Sequence, residues 1–174
     1  MLSGRPVNAP GTCVSCVMQG SRPILAEVQA LLSPSNANQS RRTANGVDFN
    51  RLMLLLAVLE KRGGVHVAGC DAYVNVVGGL ELDEPAADLA IALAIASSLR
   101  DKPIGEDLAA IGEIGLAGEI RSVPSINQRL QEIARLGFKR YVIPAHCKDD
   151  IKLPKGVQLL PAKNIRDAVT AIFI

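Results

Sequence analysis

From Leu89 to Ala96 the chain reads Leu-Ala-Ile-Ala-Leu-Ala-Ile-Ala, without a polar side chain. Pro85 just upstream suits the first turn of a helix, and the alanines favour one ending near Leu99. A helix that is apolar on nearly every side must be buried on nearly every side. That demands a layered domain with this helix at its centre. The 174 residues are enough for one sizeable core and not for two comfortable ones, so a single domain over 1–174 is expected.

The flanking segments supply the layers. Cys13 to Met18 is a short apolar run, Gln19-Gly20-Ser21-Arg22 provides turn residues, and Ile24 to Leu32 follows with Glu27 and Gln29 on one face. That pattern predicts a hairpin, although Leu25 to Leu32 also fits a helix. Residues 1–12 read as an irregular lead-in and Ser33 to Gly46 as a polar loop. Asp48 can cap a helix running to about Arg62, with Leu52, Leu55, Leu56 and Leu59 on one stripe and Gly63-Gly64 as its stop. Ala72 to Val77 reads as a strand, as do Leu108 to Gly112 and Glu119 to Val123 around the turn Gly115-Leu116-Ala117-Gly118. Ser125-x-x-Gln128 has the form of a capping box for a helix ending at Gly137. Arg140 to Ile143 and Val157 to Leu160 are further strands, separated by the basic loop Lys148 to Lys155. Asn164 can cap a closing helix with Ile165, Ala168, Val169 and Ile172 inward. Strands alternating with helices predict an α/β class with a mixed sheet packed with helices.

Composition removes several functions. Aromatic residues are 3% of the chain and Trp is absent, which argues against a base-stacking platform for single strands. A net charge of +2 permits a local basic face without requiring one. There is no Gly-Lys-Ser/Thr step, hence no Walker-type phosphate cradle. Cys13-x-x-Cys16 has no second Cys pair or His pair to complete a metal site, and His66 and His146 stand apart, so no metal is expected. No apolar run reaches the length of a membrane span and none resembles a signal. A cytoplasmic protein with reduced thiols is the expectation.

The segment Asp83-Glu84-Pro85-Ala86-Ala87-Asp88, followed later by Val123-Pro124-Ser125-Ile126-Asn127, resembles the frame of the Lon-type serine proteases. Those carry Asp-Gly-Pro-Ser-Ala-Gly with the serine as nucleophile, and a lysine base in a later Gly-Gly-Leu-Lys segment. Ala86 stands in the serine slot and Asn127 in the lysine slot. A methyl group cannot attack a carbonyl, and an amide cannot take a proton from a hydroxyl at neutral pH. Four further segments carry a second likeness. They are Gly20-Ser21-Arg22-Pro23-Ile24-Leu25, Asn50-Arg51-Leu52 with Val58-Leu59-Glu60-Lys61-Arg62, Tyr73-Val74-Asn75-Val76-Val77-Gly78-Gly79, and Gly112-Glu113-Ile114-Gly115-Leu116-Ala117-Gly118-Glu119-Ile120-Arg121. In order and over nearly the whole chain, they resemble the C-terminal Lon-protease-like domain of the RadA (Sms) family of bacterial DNA repair proteins.

What the resemblance implies is a Lon-protease-like α/β fold and no peptidase activity in this domain. The family's zinc finger and RecA-like ATPase core precede this domain and are not in this chain, so Zn, ATP and Mg are implied only for those missing parts. It also implies a ring, hexameric, acting with recombinase on branched DNA, in which this domain scaffolds assembly and contributes to DNA contact. Two alternatives stand beside that expectation, a divergent Lon-type serine peptidase and a pure oligomerisation scaffold. Ser97, Ser98 and Ser125 are the serines a peptidase would have to use, though none has the spacing.

The candidate DNA-binding residues are Arg41, Arg42, Arg51, Lys61 and Arg62. On a helix, Arg51 and Arg62 return to nearly the same side, roughly 16 Å apart along the axis. Phosphate contact needs only positioned cations. The same residues have quieter uses: Lys61 and Arg62 suit the negative end of a helix, and Arg51 can pair with Asp48. Lys148, Lys152 and Lys155 alternate with Asp149 and Asp150 and read as a solvated loop. Arg121 is of a type favoured at subunit interfaces.

Overall fold

The structure is a computed structural model describing residues 2–173. Its frame is a seven-stranded mixed sheet in the order β3-β4-β2-β1-β5-β8-β9. Strand β1 (Thr12–Gln19) and strand β2 (Arg22–Pro34) form the expected hairpin, in register from Thr12 opposite Gln29 to Gln19 opposite Arg22. Gly20 opens the two-residue turn at φ +61°, a conformation open to glycine without steric cost. The helical alternative for Leu25 to Leu32 is overturned. Ala26, Val28 and Ala30 point to one face and Leu25, Glu27 and Gln29 to the other, the period of a strand buried on both sides.

The predicted loop Ser33 to Gly46 is also corrected. Strand β2 extends to Pro34, and Arg42–Asn45 form strand β3, which runs parallel to β4 (Cys70–Val76) at the sheet edge. The sequence hides β3 because an edge strand with polar side chains lacks an apolar period. On the other side of β1, strands β5 (Leu108–Ala110), β8 (Arg140–Pro144) and β9 (Gln158–Ala162) continue in parallel. Strands β6 (Glu113–Ile114) and β7 (Ile120–Arg121) make a separate small hairpin.

Helices α1 (Phe49–Val58), α2 (Asp88–Arg100) and α4 (Ile165–Ala171) share one apolar cluster with one face of the sheet. Helix α3 (Ile126–Arg135) covers part of the opposite face. Helix α2 is the buried centre, with every residue from Asp88 to Ser97 buried. Its Leu89, Ile91, Leu93 and Ile95 together contribute on the order of 6–12 kcal/mol of apolar burial. Helix α1 ends sooner than its leucine stripe suggests. Leu59–Gly63 tighten into a π-helical turn, stopped by Gly64 in the left-handed region at φ +66°. Asp48 and Asn164 cap α1 and α4 as expected, accepting from the N–H groups of Arg51 (2.8 Å) and Asp167 (2.9 Å).

The expected capping box at Ser125 does not form. Ser125 lies in the left-handed region at φ +59° with no side-chain bond to the helix, and Gln128 donates instead to the Ser21 carbonyl, 2.9 Å away. An N-cap needs an extended backbone, and the left-handed one at Ser125 rules the box out.

Candidate functional site

Glu84 is extended and leads into a 3-10 turn, Pro85–Ala87, that opens α2. Pro85 has no N–H to leave unpaired at a helix start. The Ala86 side chain is 1% exposed and belongs to the cluster under α3, with Val14, Ala109, Ile111 and Leu130. Its carbonyl accepts from Gly112 N–H at 3.1 Å. Gly112 must be glycine for this approach, because a β-carbon there would come within 2.8 Å of Ile120 Cγ2. The Ala86 methyl group therefore faces packed apolar side chains.

Two ion pairs clamp the same turn. Arg129 of α3 is 1% exposed and donates to both Glu84 oxygens, at 2.5 and 2.8 Å. It also donates to the Pro124 and Cys16 carbonyls, both at 2.9 Å, while Glu84 accepts from Met18 N–H at 2.7 Å. Burial alone would raise the Glu84 carboxyl, but the Arg129 guanidinium and Met18 N–H outweigh it and hold it below its ordinary value. At the other end of the turn, Asp88 forms a bidentate pair with Arg51 of α1 and accepts from Ile114 N–H at 3.1 Å. Here burial wins and pushes the Asp88 carboxyl up, although Arg51 and Ile114 oppose it. The Arg51 guanidinium is held above its usual range by its bonds to Asp88.

Asn127 serves as a staple. Its Nδ2 donates to the Asp150 carbonyl and its Oδ1 accepts from Lys152 N–H, each at 3.1 Å. That pins the loop after β8 to the start of α3. Of the serines in α2, Ser97 is fully buried, accepting from Gly11 N–H (2.9 Å) and donating to the Lys102 carbonyl, while Ser98 accepts from Leu32 N–H (2.9 Å). A cleft of about 250 Å³ lies over the turn, lined by Asp48, Arg51, Asp83, Glu84 and Asp88 with Leu82. The Glu84 and Asp88 carboxylates in it are already paired, so the arrangement positions charges without offering an activated nucleophile.

The structure also decides the Cys13–Cys16 spacing. On a strand, residues three apart face opposite ways, and Cys13 joins the cluster with α1, α2 and α4 while Cys16 joins the one under α3. Burial pushes both thiols up to about 12. Among the described residues no group of three or more His, Cys, Asp or Glu side chains could hold a metal ion. No helix among them is long and apolar enough to cross a membrane.

The five candidate DNA-binding residues do not form one face. Arg42, at the start of β3, donates to the Cys70 and Val67 carbonyls and lines a depression with Met53, Ala57 and Glu60 of the α1 segment. Arg41 is exposed, its N–H held by Asp71 at 2.7 Å. Arg51 and Arg62 do return to the same side of the helix. Arg51 reaches the Ile114 carbonyl of β6, and Arg62 packs beside Gly118 in the β6–β7 turn. Yet Arg51 is committed to Asp88 and not to Asp48, whose carboxylate takes the Arg51 N–H. Lys61 and Arg62 remain exposed on the π-helical turn. Lys148, Lys152 and Lys155 are exposed, but the loop reading is corrected at its start, where Lys148 to Asp150 belong to a 3-10 helix, Ala145–Asp150.

The Glu84–Arg129 and Asp88–Arg51 pairs escaped sequence reasoning. A signal for the first was present, since Arg129 sits on the apolar stripe of α3 beside Leu130 and Ile133. A charge on a buried stripe calls for a buried partner.

A seven-stranded mixed sheet packed with helices, and a proline turn opening the buried helix at its centre, define a domain of the Lon protease class. The family described as Lon protease (S16) C-terminal proteolytic domain matches residues 68–173, and the chain belongs to it. Along almost its whole length the chain is also similar to the DNA repair protein RadA of several bacteria. It is 48% identical over 168 residues to that of Bacillus subtilis (strain 168), covering 97% of this chain and 37% of that protein. The values for Listeria monocytogenes serovar 1/2a are the same, and for Streptococcus pneumoniae (strain ATCC BAA-255 / R6) they are 46% over 172 residues, 99% and 41%. The chain thus spans about two fifths of the length of the relatives it matches.

Proposed function

We propose that this chain is a non-catalytic Lon-like domain of a RadA-type DNA repair and recombination protein, where it scaffolds a ring and contacts DNA. The observation that carries the reading is the collinear 46–48% identity, over 97–99% of the chain, to proteins named for DNA repair. Support for the non-catalytic part comes from Ala86 and Asn127: one buries its methyl in the core and the other staples a loop. On this reading ATP, Mg and Zn belong to regions outside this chain. The partners are branched DNA, a recombinase and further copies of the same protein in a ring of six, in the cytoplasm.

The test is the light-scattering mass of the purified chain, with and without a short forked duplex, at low and moderate salt. A six-fold mass that gains DNA at low salt and loses it on salt addition supports ring and DNA contact together. A monomer blind to DNA refutes both for this domain. A second reading, a scaffold without DNA contact, is favoured by Phe49, Met53 and Leu54, which expose apolar surface on α1 (49%, 41% and 41%). It requires assembly that is indifferent to salt and never takes up the duplex.

A further inference from the structure

Phosphate contact needs cations that are exposed and not already neutralised. Arg42 and Arg51 fail that requirement, because each is spent on protein acceptors. Arg62 meets it, and the fold supplies it with neighbours that lie far away in sequence. Ile165, at the start of α4, is the pivot. Its N–H bonds the Gly118 carbonyl at 2.8 Å, and its side chain packs where β-carbons on Gly63 and Gly118 would stand, at 3.6 and 3.4 Å. The Ile120 N–H bonds the Lys163 carbonyl at 3.0 Å, closing the same junction. The π-helical turn, the β6–β7 turn and the entry to α4 therefore meet at one place, bringing Lys61, Arg62, Lys163 and Arg166 with them.

The close packing is specific. A β-carbon on Gly118, which sits at φ +84°, would come within 2.9 Å of Arg62 Cβ, and one on Gly64 would lie 3.8 Å from Arg166 Nη2. All four basic residues are exposed. Among the described residues neither Arg62 nor Arg166 forms a salt bridge. The acids that share the junction are turned to backbone donors: Glu119 accepts from Ala117 N–H at 3.1 Å and Asp167 from Lys163 N–H at 3.3 Å.

The geometry points to this junction, with Lys61, Arg62, Lys163 and Arg166, as the site where the domain grips the phosphodiester backbone of duplex DNA. The inference rests on the DNA-contact reading above and moves the contact away from Arg41, Arg42 and Arg51. Lys163 and Arg166 are new to it. Such a grip reads backbone charge and not base sequence.

The test is fluorescence anisotropy of a labelled forked duplex against KCl concentration, for the wild type, for Arg62→Gln with Arg166→Gln, and for Arg41→Gln with Arg42→Gln. Glutamine keeps most of each stem, and unchanged circular dichroism and denaturation midpoint verify folding. Each lost phosphate contact lowers the salt slope by about 0.9, so the Arg62/Arg166 pair should lose nearly 2 in slope and about sixty-fold in affinity near 0.1 M salt. The Arg41/Arg42 variant should keep its slope within about one contact. If wild type binds steeply and the Arg62/Arg166 variant matches it, the junction is not the grip, while DNA contact stands. If the wild type does not bind duplex at all, the DNA-contact reading fails and this inference fails with it.

Discussion

Removing Glu84 should cost this domain more stability than any exposed ion pair could explain. Arg129 is 1% exposed, and Glu84 is the only carboxylate paired with it among the described residues. Glu84→Gln leaves the guanidinium with the Pro124 and Cys16 carbonyls but no opposing charge. An uncompensated buried charge costs about 3–5 kcal/mol. The Glu84 side chain is itself 25% exposed, so water relieves part of the loss, and about 3 kcal/mol is expected. For a chain of this size that is roughly 6–12 °C in Tm. Arg129→Met takes away the charge but orphans two carbonyls, and should cost about 2–3 kcal/mol. The double variant should be less damaged than the sum by about 2 kcal/mol. Urea denaturation of the four proteins measures the cycle. The sign of the pH effect follows from the lowered Glu84 carboxyl: its contribution is complete above the ordinary value of 4.5 and is lost as pH falls through the folded-state value. The gap between wild type and Glu84→Gln should thus be flat from neutral pH down to about 5 and narrow below it. A coupling energy under about 0.5 kcal/mol, or a gap that widens in acid, would refute the reasoning.

Restoring the dyad letters with Ala86→Ser and Asn127→Lys should give no peptidase and no fluorophosphonate labelling. The new hydroxyl would face the core at a cost of about 1–3 kcal/mol; labelling that needs both substitutions would refute this. Asn127→Ala should free the loop from 148 to 155, seen as faster tryptic cleavage there, at a stability cost of about 1–2 kcal/mol. Cys13 and Cys16 should resist thiol reagents at pH 8 until the protein unfolds, since their thiols are pushed up to about 12; mass spectrometry of the native protein after labelling decides. Gly118→Ala should destabilise the β6–β7 turn by at least 1 kcal/mol, because the residue is left-handed and its β-carbon would press on Arg62; a Tm unchanged within error would count against it.

The legible parts of the fold were those with a strong period or a dedicated turn residue. The apolar run of α2, the leucine stripe of α1 and the Gly20 turn each announce themselves locally. Strand β3 did not, because its stability comes from pairing with β4 and not from its own side chains. Ser125 fails as a cap because its backbone is left-handed and not extended, while Gln128 donates to a turn more than a hundred residues earlier. That Ala86 and Asn127 carry neither a nucleophile nor a base is plain from the letters alone. What each residue does instead depends on the sheet above Ala86 and the loop beside Asn127, which no local pattern encodes. The surroundings of the basic residues are hidden for the same reason. Helical periodicity places Arg51 and Arg62 on one side, but only the tertiary structure spends Arg51 on Asp88 and sets Arg166 beside Gly64.

Three letters of Asp83-Glu84-Pro85-Ala86-Ala87-Asp88 depart from the protease pattern Asp-Gly-Pro-Ser-Ala-Gly, and their structural uses fit together. Where the pattern has its first glycine, Glu84 ties the turn to α3 through Arg129. Where it has its second, Asp88 ties the turn to α1 through Arg51. A turn that holds a nucleophile for acyl transfer must keep backbone N–H groups free for the developing oxyanion, and small residues help substrate approach. Here the side chains on both sides of Ala86 reach to neighbouring helices, and Ala86 closes the core between them. In this chain the segment joins α1, α2 and α3 through those two pairs. Reverting one residue leaves the two clamps in place, so chemistry would not return with the hydroxyl. The Asp88 pair seats α1, which carries the exposed apolar residues and leads straight into the π-helical turn that bears Lys61 and Arg62.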